Sequence, residues 1–252
     1  NKDLKYIHFP EGVKKICAGA FQGCSVASIE LPNQMDTLGD YAFYDCYALT
    51  NVKMPTSLSY MADECFSYSG IRSITIPNGL LVIPAFAFCG CFNLTEITWG
   101  DAVTTIGLNA FFGCPFTSLH FPATLRTIRN GAFGGGNTIG DLRNVTFSAP
   151  VDTIGPEAFM NQNLESLHLR NTTPPVTLDP LETDDPTFGC FYHGTVDSIF
   201  IPCGSLNDYL GDEYWGRFEN KYYEQCTGID QLEADNVSVI AADNRITIKG
   251  AE

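Results

Sequence analysis

Apolar and polar positions along the 252-residue chain repeat on a period of about 22 residues. The clearest marker is a phenylalanine, at Phe21, Phe43, Phe66, Phe88, Phe111, Phe133 and Phe159, spaced 22, 23, 22, 23, 22 and 26 residues. Alanine precedes it everywhere except at Cys65, and five positions before it stands an aliphatic: Ile16, Leu38, Met61, Ile83, Ile106, Ile128 and Ile154. Self-similarity at a fixed period is the mark of a solenoid, whose units cannot bury their own apolar faces and are stable only when stacked.

Eight segments, residues 4–10, 26–32, 49–55, 71–77, 94–100, 116–122, 142–148 and 164–170, align residue for residue. In each, aliphatics such as Ile29 and Leu31 alternate with polar residues such as Ser28 and Glu30. That period of two predicts strands with one face inward and one outward. The proline that usually follows cannot donate a ladder hydrogen bond and ends the strand. The fold class expected is a right-handed solenoid of about eight turns with a parallel sheet on one face, mostly β, with irregular or short helical returns. At about 4.8 Å between strands the sheet would be roughly 35 Å long. The longer interval before Phe159 marks an insertion around Gly134, Gly135, Gly136 and Asn137, expected to bulge at one edge.

The outward positions of these strands form two columns. One holds Tyr6, Ser28, Asn51, Ser73, Glu96, Ser118, Asn144 and Ser166; the other holds His8, Glu30, Lys53, Thr75, Thr98, His120, Thr146 and His168. Exposed repeat surfaces are the usual binding faces of solenoids, so the residues from Ser28 to His168 form the candidate recognition ribbon. The plainer reading is that Ser and Thr merely tolerate strand and solvent together. Three histidines share a column, but His8 and His120 would lie roughly 24 Å apart and His120 and His168 roughly 10 Å, too far to share an ion.

Composition narrows the function. Apolar residues make up 44% of the chain, ample for a core, and no apolar run approaches the roughly 18 residues of a membrane span. Residues 1–178 hold 14 acids against 10 bases, and residues 179–252 hold 15 against 4. That acidity argues against nucleic acid and anionic membranes, which draw affinity from Lys and Arg. Asn1, with no basic and apolar leader behind it, reads as the start of a mature or trimmed chain.

The ten cysteines show none of the usual zinc spacings, and Cys190, His193 and Cys203 lack a tetrad. Cys24, Cys46, Cys91 and Cys114 share the slot three after the repeated Phe, with Ser69 between them, and are expected to stack as buried thiols. Cys65 takes the alanine slot. The run Glu182-Thr183-Asp184-Asp185 reads as a solvated acidic loop, since calcium needs six to eight ordered oxygens. No G-x-S-x-G, H-E-x-x-H or phosphate-cradling loop appears, so no catalytic residue, metal or cofactor is expected and the chain reads as non-enzymatic.

The motif L-x-x-I-x-L-P followed by I-G-x-x-A-F-x-G-C, as in residues 71–91 and 94–114, resembles the BspA-like leucine-rich-repeat family of bacterial cell-surface proteins. The likeness spans roughly residues 4–170. It implies an exported, extracellular or cell-surface location and adhesion or protein binding to host or neighbouring cells, with glycan as the alternative ligand. The ribbon has only Tyr6 as a sugar-stacking aromatic, although Tyr192, Tyr214, Tyr222 and Tyr223 lie beyond it. Partners expected are an extracellular protein or a glycan, with no nucleic acid and no membrane insertion, and the protein acts as a monomer.

Residues 199–205, through Tyr209, Trp215 and Phe218, are similar to the closing segment of such proteins. Ser205 with Asp208 suggests a capping box and Gly211 a stop, giving a short helix that shields the end of the stack. Cys190, Cys203 and Cys226 lie outside the repeats, where an exported context allows a disulfide. The division expected is a solenoid over 1–170, an irregular last turn and cap over 171–227, and the start of a truncated C-terminal β-domain or linker over 228–252. Its strands would fall near Val237–Ile240 and Ile246–Ile248.

Overall fold

The computed structural model describes residues 3–10, 12–136, 140–177, 189–226, 237–242 and 245–250. The repeats fold as a parallel-strand solenoid of about nine turns with little helix. The outward-facing strands form three successive parallel ladders: Ser28–Glu30 with Asn51–Lys53, Ser73–Thr75 with Glu96–Thr98, and Ser118–Phe121 with Asn144–Phe147 and Asn163–His168. Their registers pair residues that are equivalent in the repeat, for example Ser28 with Asn51 and Leu119 with Val145.

The sheet departs from expectation at both ends. The segment 4–10 is not a strand; Leu4 accepts a bond from Ser25 N–H at 3.1 Å, but Tyr6 is 88% exposed. At the other end Thr195–Pro202 and Tyr222–Gln225 continue the sheet as its last two parallel strands.

A second parallel ladder, unforeseen as strand, runs through the returns. Lys15–Ile16, Thr37–Leu38 and Tyr60–Met61 form one part, and Val82–Ile83, Thr105–Ile106, Thr127–Ile128 and Thr153–Ile154 the other. Each pair ends on the aliphatic five before a repeated Phe. Two residues per turn are too few to show an alternation. Val176 adds one more bridge, to Thr153.

Between the two ladders the chain turns through a pair of left-handed positions, two before and two after the phenylalanine. They hold Gly19 and Gly23, Tyr41 and Asp45, Glu64 and Tyr68, and Phe86 and Gly90 in successive turns. Main-chain bonds between turns close this side, as in Phe43 N–H to Cys65 O at 2.7 Å and Phe66 N–H to Ala87 O at 2.9 Å. Bonds between stacked turns thus pair backbone groups on this side as well as in the ladders.

The core is a column of phenylalanine rings. From Phe21 to Phe159 consecutive rings stack at 5.2 to 5.9 Å with interplanar angles of at most 14°. Phe191 continues the column, 5.9 Å from Phe159. In the insertion Gly135 N–H bonds Met160 O and Gly140 N–H bonds Asn161 O, both at 2.7 Å. Asn137 lies outside the described residues, as does the acidic run 182–185.

The stacked thiols are free. Cys46 donates to Phe21 O at 3.1 Å, Cys91 to Phe66 O at 3.1 Å and Cys114 to Phe88 O at 3.2 Å, each reaching to the preceding turn. Burial pushes the thiols of Cys65 and Cys190 up to about 12. Cys203 and Cys226 are disulfide-bonded, which removes Cys203 from any ligand set with Cys190 and His193. Iodoacetamide near pH 7.5 without reductant should therefore label exposed Cys17 first and leave Cys65 and Cys190 intact. Labelling of the buried pair as fast as Cys17 would contradict this packing.

The closing helix spans Leu206–Gly211, but the expected capping box is not formed. Ser205 is buried and its hydroxyl bonds Pro202 O at 2.5 Å, while Glu224 Oε1 accepts the Leu206 N–H at 3.0 Å. A 3-10 segment, Trp215–Lys221, follows. Val237–Ala242 and Arg245–Gly250 pair as an antiparallel hairpin. No helix among the described residues is long and apolar enough to cross a membrane.

Candidate binding face

Period-two geometry places both ribbon columns on the outer side of the sheet. Ser28, Glu30, Asn51, Lys53, Ser73, Thr75, Glu96, Thr98, Ser118 and His120 are all exposed, and Asn144, Thr146, Ser166 and His168 are half-buried. Cross-strand registers keep the columns in line: Glu30 faces Lys53, Thr75 faces Thr98, and His120, Thr146 and His168 follow one another. The Glu30 carboxylate and Lys53 ammonium form an ion pair at 2.5 Å, about two-thirds exposed and hence worth little to stability. Ser166 donates to Asn144 Oδ1 at 2.8 Å.

Three members of the ribbon are absent from the expected columns. Ser198 faces Ser166, Phe200 faces His168, and Tyr223 faces Phe200. The rings stack across strands, His168 on Phe200 at 4.2 Å and Phe200 on Tyr223 at 5.3 Å. Gln225 Nε2 lies 3.4 Å from His168 Nδ1, and Arg170 donates to Gln225 Oε1 at 2.9 Å. Burial, then the Arg170 charge and His120, lower the affinity of His168 for a proton, so it is neutral at pH 7. The signal was present in the sequence, because Ser198-Ile199-Phe200-Ile201-Pro202 repeats the form of Ser28-Ile29-Glu30-Leu31-Pro32.

His8 lies in no strand, and no group of three His, Cys, Asp or Glu suited to a metal exists among the described residues. A concavity of about 460 Å³ opens at the turns beside Phe92, Phe112 and Gly113. Another, of about 750 Å³, lies over the second ladder beside Tyr60, Leu81 and Val82.

The BspA type leucine rich repeat region matches in six copies over residues 1–114 and 59–177. The chain belongs to the BspA-type leucine-rich-repeat family. Among solved structures, this family member is similar to a T. pallidum leucine-rich-repeat protein, with 26% identity and a TM-score of 0.50 over 54% of this chain and 64% of that one. It is also similar to a leucine-rich cell surface protein from Faecalibacterium prausnitzii A2-165, with 19% identity and a TM-score of 0.47 over 68% of this chain and 62% of that one. The chain thus spans less than two thirds of the length of either. No curated protein matches it.

Proposed function

We propose that this BspA-type chain is a non-catalytic surface protein that binds extracellular proteins, and so mediates adhesion to host or neighbouring cells, through the exposed face of its repeat sheet. The observation that supports this is the exposure of the ribbon side chains on one open polar face, in register within each of three parallel ladders. An exported monomer needs no cofactor for such work, and the open face favours broad contact over the enclosed pocket typical of small-molecule chemistry.

One observation favours glycan as a second class of ligand. His168, Phe200 and Tyr223 place aromatic rings on the same face beside Arg170 and Gln225. Phe200 has both ring faces covered by its neighbours, so a sugar would stack on Tyr223, which is 48% exposed.

The test begins with a screen of the recombinant chain against host matrix proteins and polysaccharide arrays. Glu96→Lys combined with Ser118→Trp should then weaken binding of a protein ligand by about 1 to 3 kcal/mol, the range for blocked interface anchors. Both side chains are exposed, so the melting temperature should hold. Unchanged affinity in this variant would refute the ribbon. Loss on Tyr223→Ala alone, with a glycan ligand, would support the second reading.

A further inference from the structure

We propose a second interaction surface, on the turn side of the second to fourth repeats, that takes a Lys- or Arg-bearing segment of another protein. The surface is a continuous run of aromatic rings. Tyr41 contacts Tyr44 at 5.6 Å and 70°, Tyr44 contacts Tyr68 at 5.7 Å and 73°, and Tyr68 contacts Phe92 at 6.3 Å and 60°. Tyr47 is 69% exposed and Phe92 66%. Each edge-to-face contact covers one face of one ring, so Tyr47 and Phe92, the most exposed of the set, offer the most accessible ring surface.

Charge decides what such rings would receive. Residues 40–47 and 63–68 carry Asp40, Asp45, Asp63 and Glu64 and no Lys, Arg or His. None of the four carboxylates is ion-paired among the described residues. Hydrogen bonding toward Glu64 raises the Tyr41 phenol above its usual range, and Asp45 does the same to Tyr47. Both rings are therefore held as neutral phenols beside carboxyl groups. A cation over a tyrosine face with a carboxylate at its edge satisfies both features, whereas an anionic or purely apolar partner would meet uncompensated carboxylates.

The backbone adds a further observation. Tyr41, Asp45, Glu64 and Tyr68 all adopt positive φ, between 56° and 61°. The slot of Asp45 and Tyr68 is held by Gly23, Gly90 and Gly113 in other turns and by Asn161 and His193, also at positive φ, in the last two, so the repeat itself imposes the conformation that sets these side chains on the turn.

The probe is a fluorescent twelve-residue lysine peptide and its arginine counterpart, titrated by anisotropy at low and at physiological salt. Because the whole chain carries −15, the comparison with charge-matched variants is decisive. Asp45→Asn with Glu64→Gln should weaken binding at least fivefold, and Asn is suited to the left-handed position, so the turn should fold. Asp152→Asn with Asp197→Asn removes the same charge from exposed positions elsewhere and should cost less than twofold. Tyr47→Ser leaves the charge unchanged and should weaken binding about two- to fivefold, the exposed cation–π range. Equal losses in the two acid-neutralised variants, an unaffected Tyr47→Ser, or no saturable binding of either peptide would each overturn the proposal.

Discussion

Replacing Phe111 with alanine should cost about 3 to 5 kcal/mol and lower the melting temperature by roughly 10 °C. Its ring is fully buried and lies 5.2 Å from Phe88 and 5.3 Å from Phe133, so truncation opens a void against both neighbouring turns. Edge contacts to Trp99 and Phe116, both at 5.8 Å, would be lost with it. In a solenoid the stability is carried by nearest-neighbour interfaces, and this side chain contributes to two of them at mid-stack. The matched control is Phe92→Ala, the same truncation at a ring 66% exposed, which should change stability by at most about 0.5 kcal/mol. Calorimetry of both variants checks the assignment. A Phe111→Ala melting temperature within about 2 °C of the parent would mean that the ring column does not hold the turns together.

The column was legible because phenylalanine at a 22-residue interval is a strong one-residue signal, and the ribbon because alternation survives in three- to six-residue strands. Phe191 escaped because 32 residues separate it from Phe159, although Cys190-Phe191 repeats the Cys65-Phe66 pair. The same long interval hides the strand Thr195–Pro202, and Phe200 with it, behind the likeness of residues 199–205 to a closing segment. Nothing in the sequence distinguishes a half-covered His168 from the exposed His120; that difference arises from Phe200 and Gln225, which only folding brings beside it. The capping box failed on geometry, since the Ser205 hydroxyl turns back to Pro202 and a glutamate 18 residues away takes the freed N–H. The left-handed turns that carry the tyrosine strip have no sequence signature either. Gly marks such positions, but Tyr41, Glu64 and Tyr68 occupy them only because the stacked turns on either side impose the conformation.

The cap should fail differently from the middle of the stack. Trp215 is fully buried and packs edge-on against Phe191 at 6.2 Å and Tyr209 at 6.0 Å. Its indole N–H donates to Pro175 O at 2.8 Å, and the Tyr222 hydroxyl donates to its carbonyl at 2.7 Å. Trp215→Ala loses about 3 to 5 kcal/mol of packing and leaves the Pro175 carbonyl without its donor, a further cost of about 1 to 3 kcal/mol. Because each turn contacts only its neighbours, that loss should stay near the end of the stack. Hydrogen exchange is the measurement that resolves it. Amides of Thr195–Pro202 and Tyr222–Gln225 should lose protection, while those of Asn51–Lys53 and Ser73–Thr75, four or more turns away, should exchange as in the parent. The Cys203–Cys226 disulfide still joins the last two strands in this variant, so reducing it should deepen the terminal loss without reaching the first turns. Uniform exchange along the whole chain would show instead that the solenoid unfolds as one cooperative unit and that the cap stabilises all of it equally.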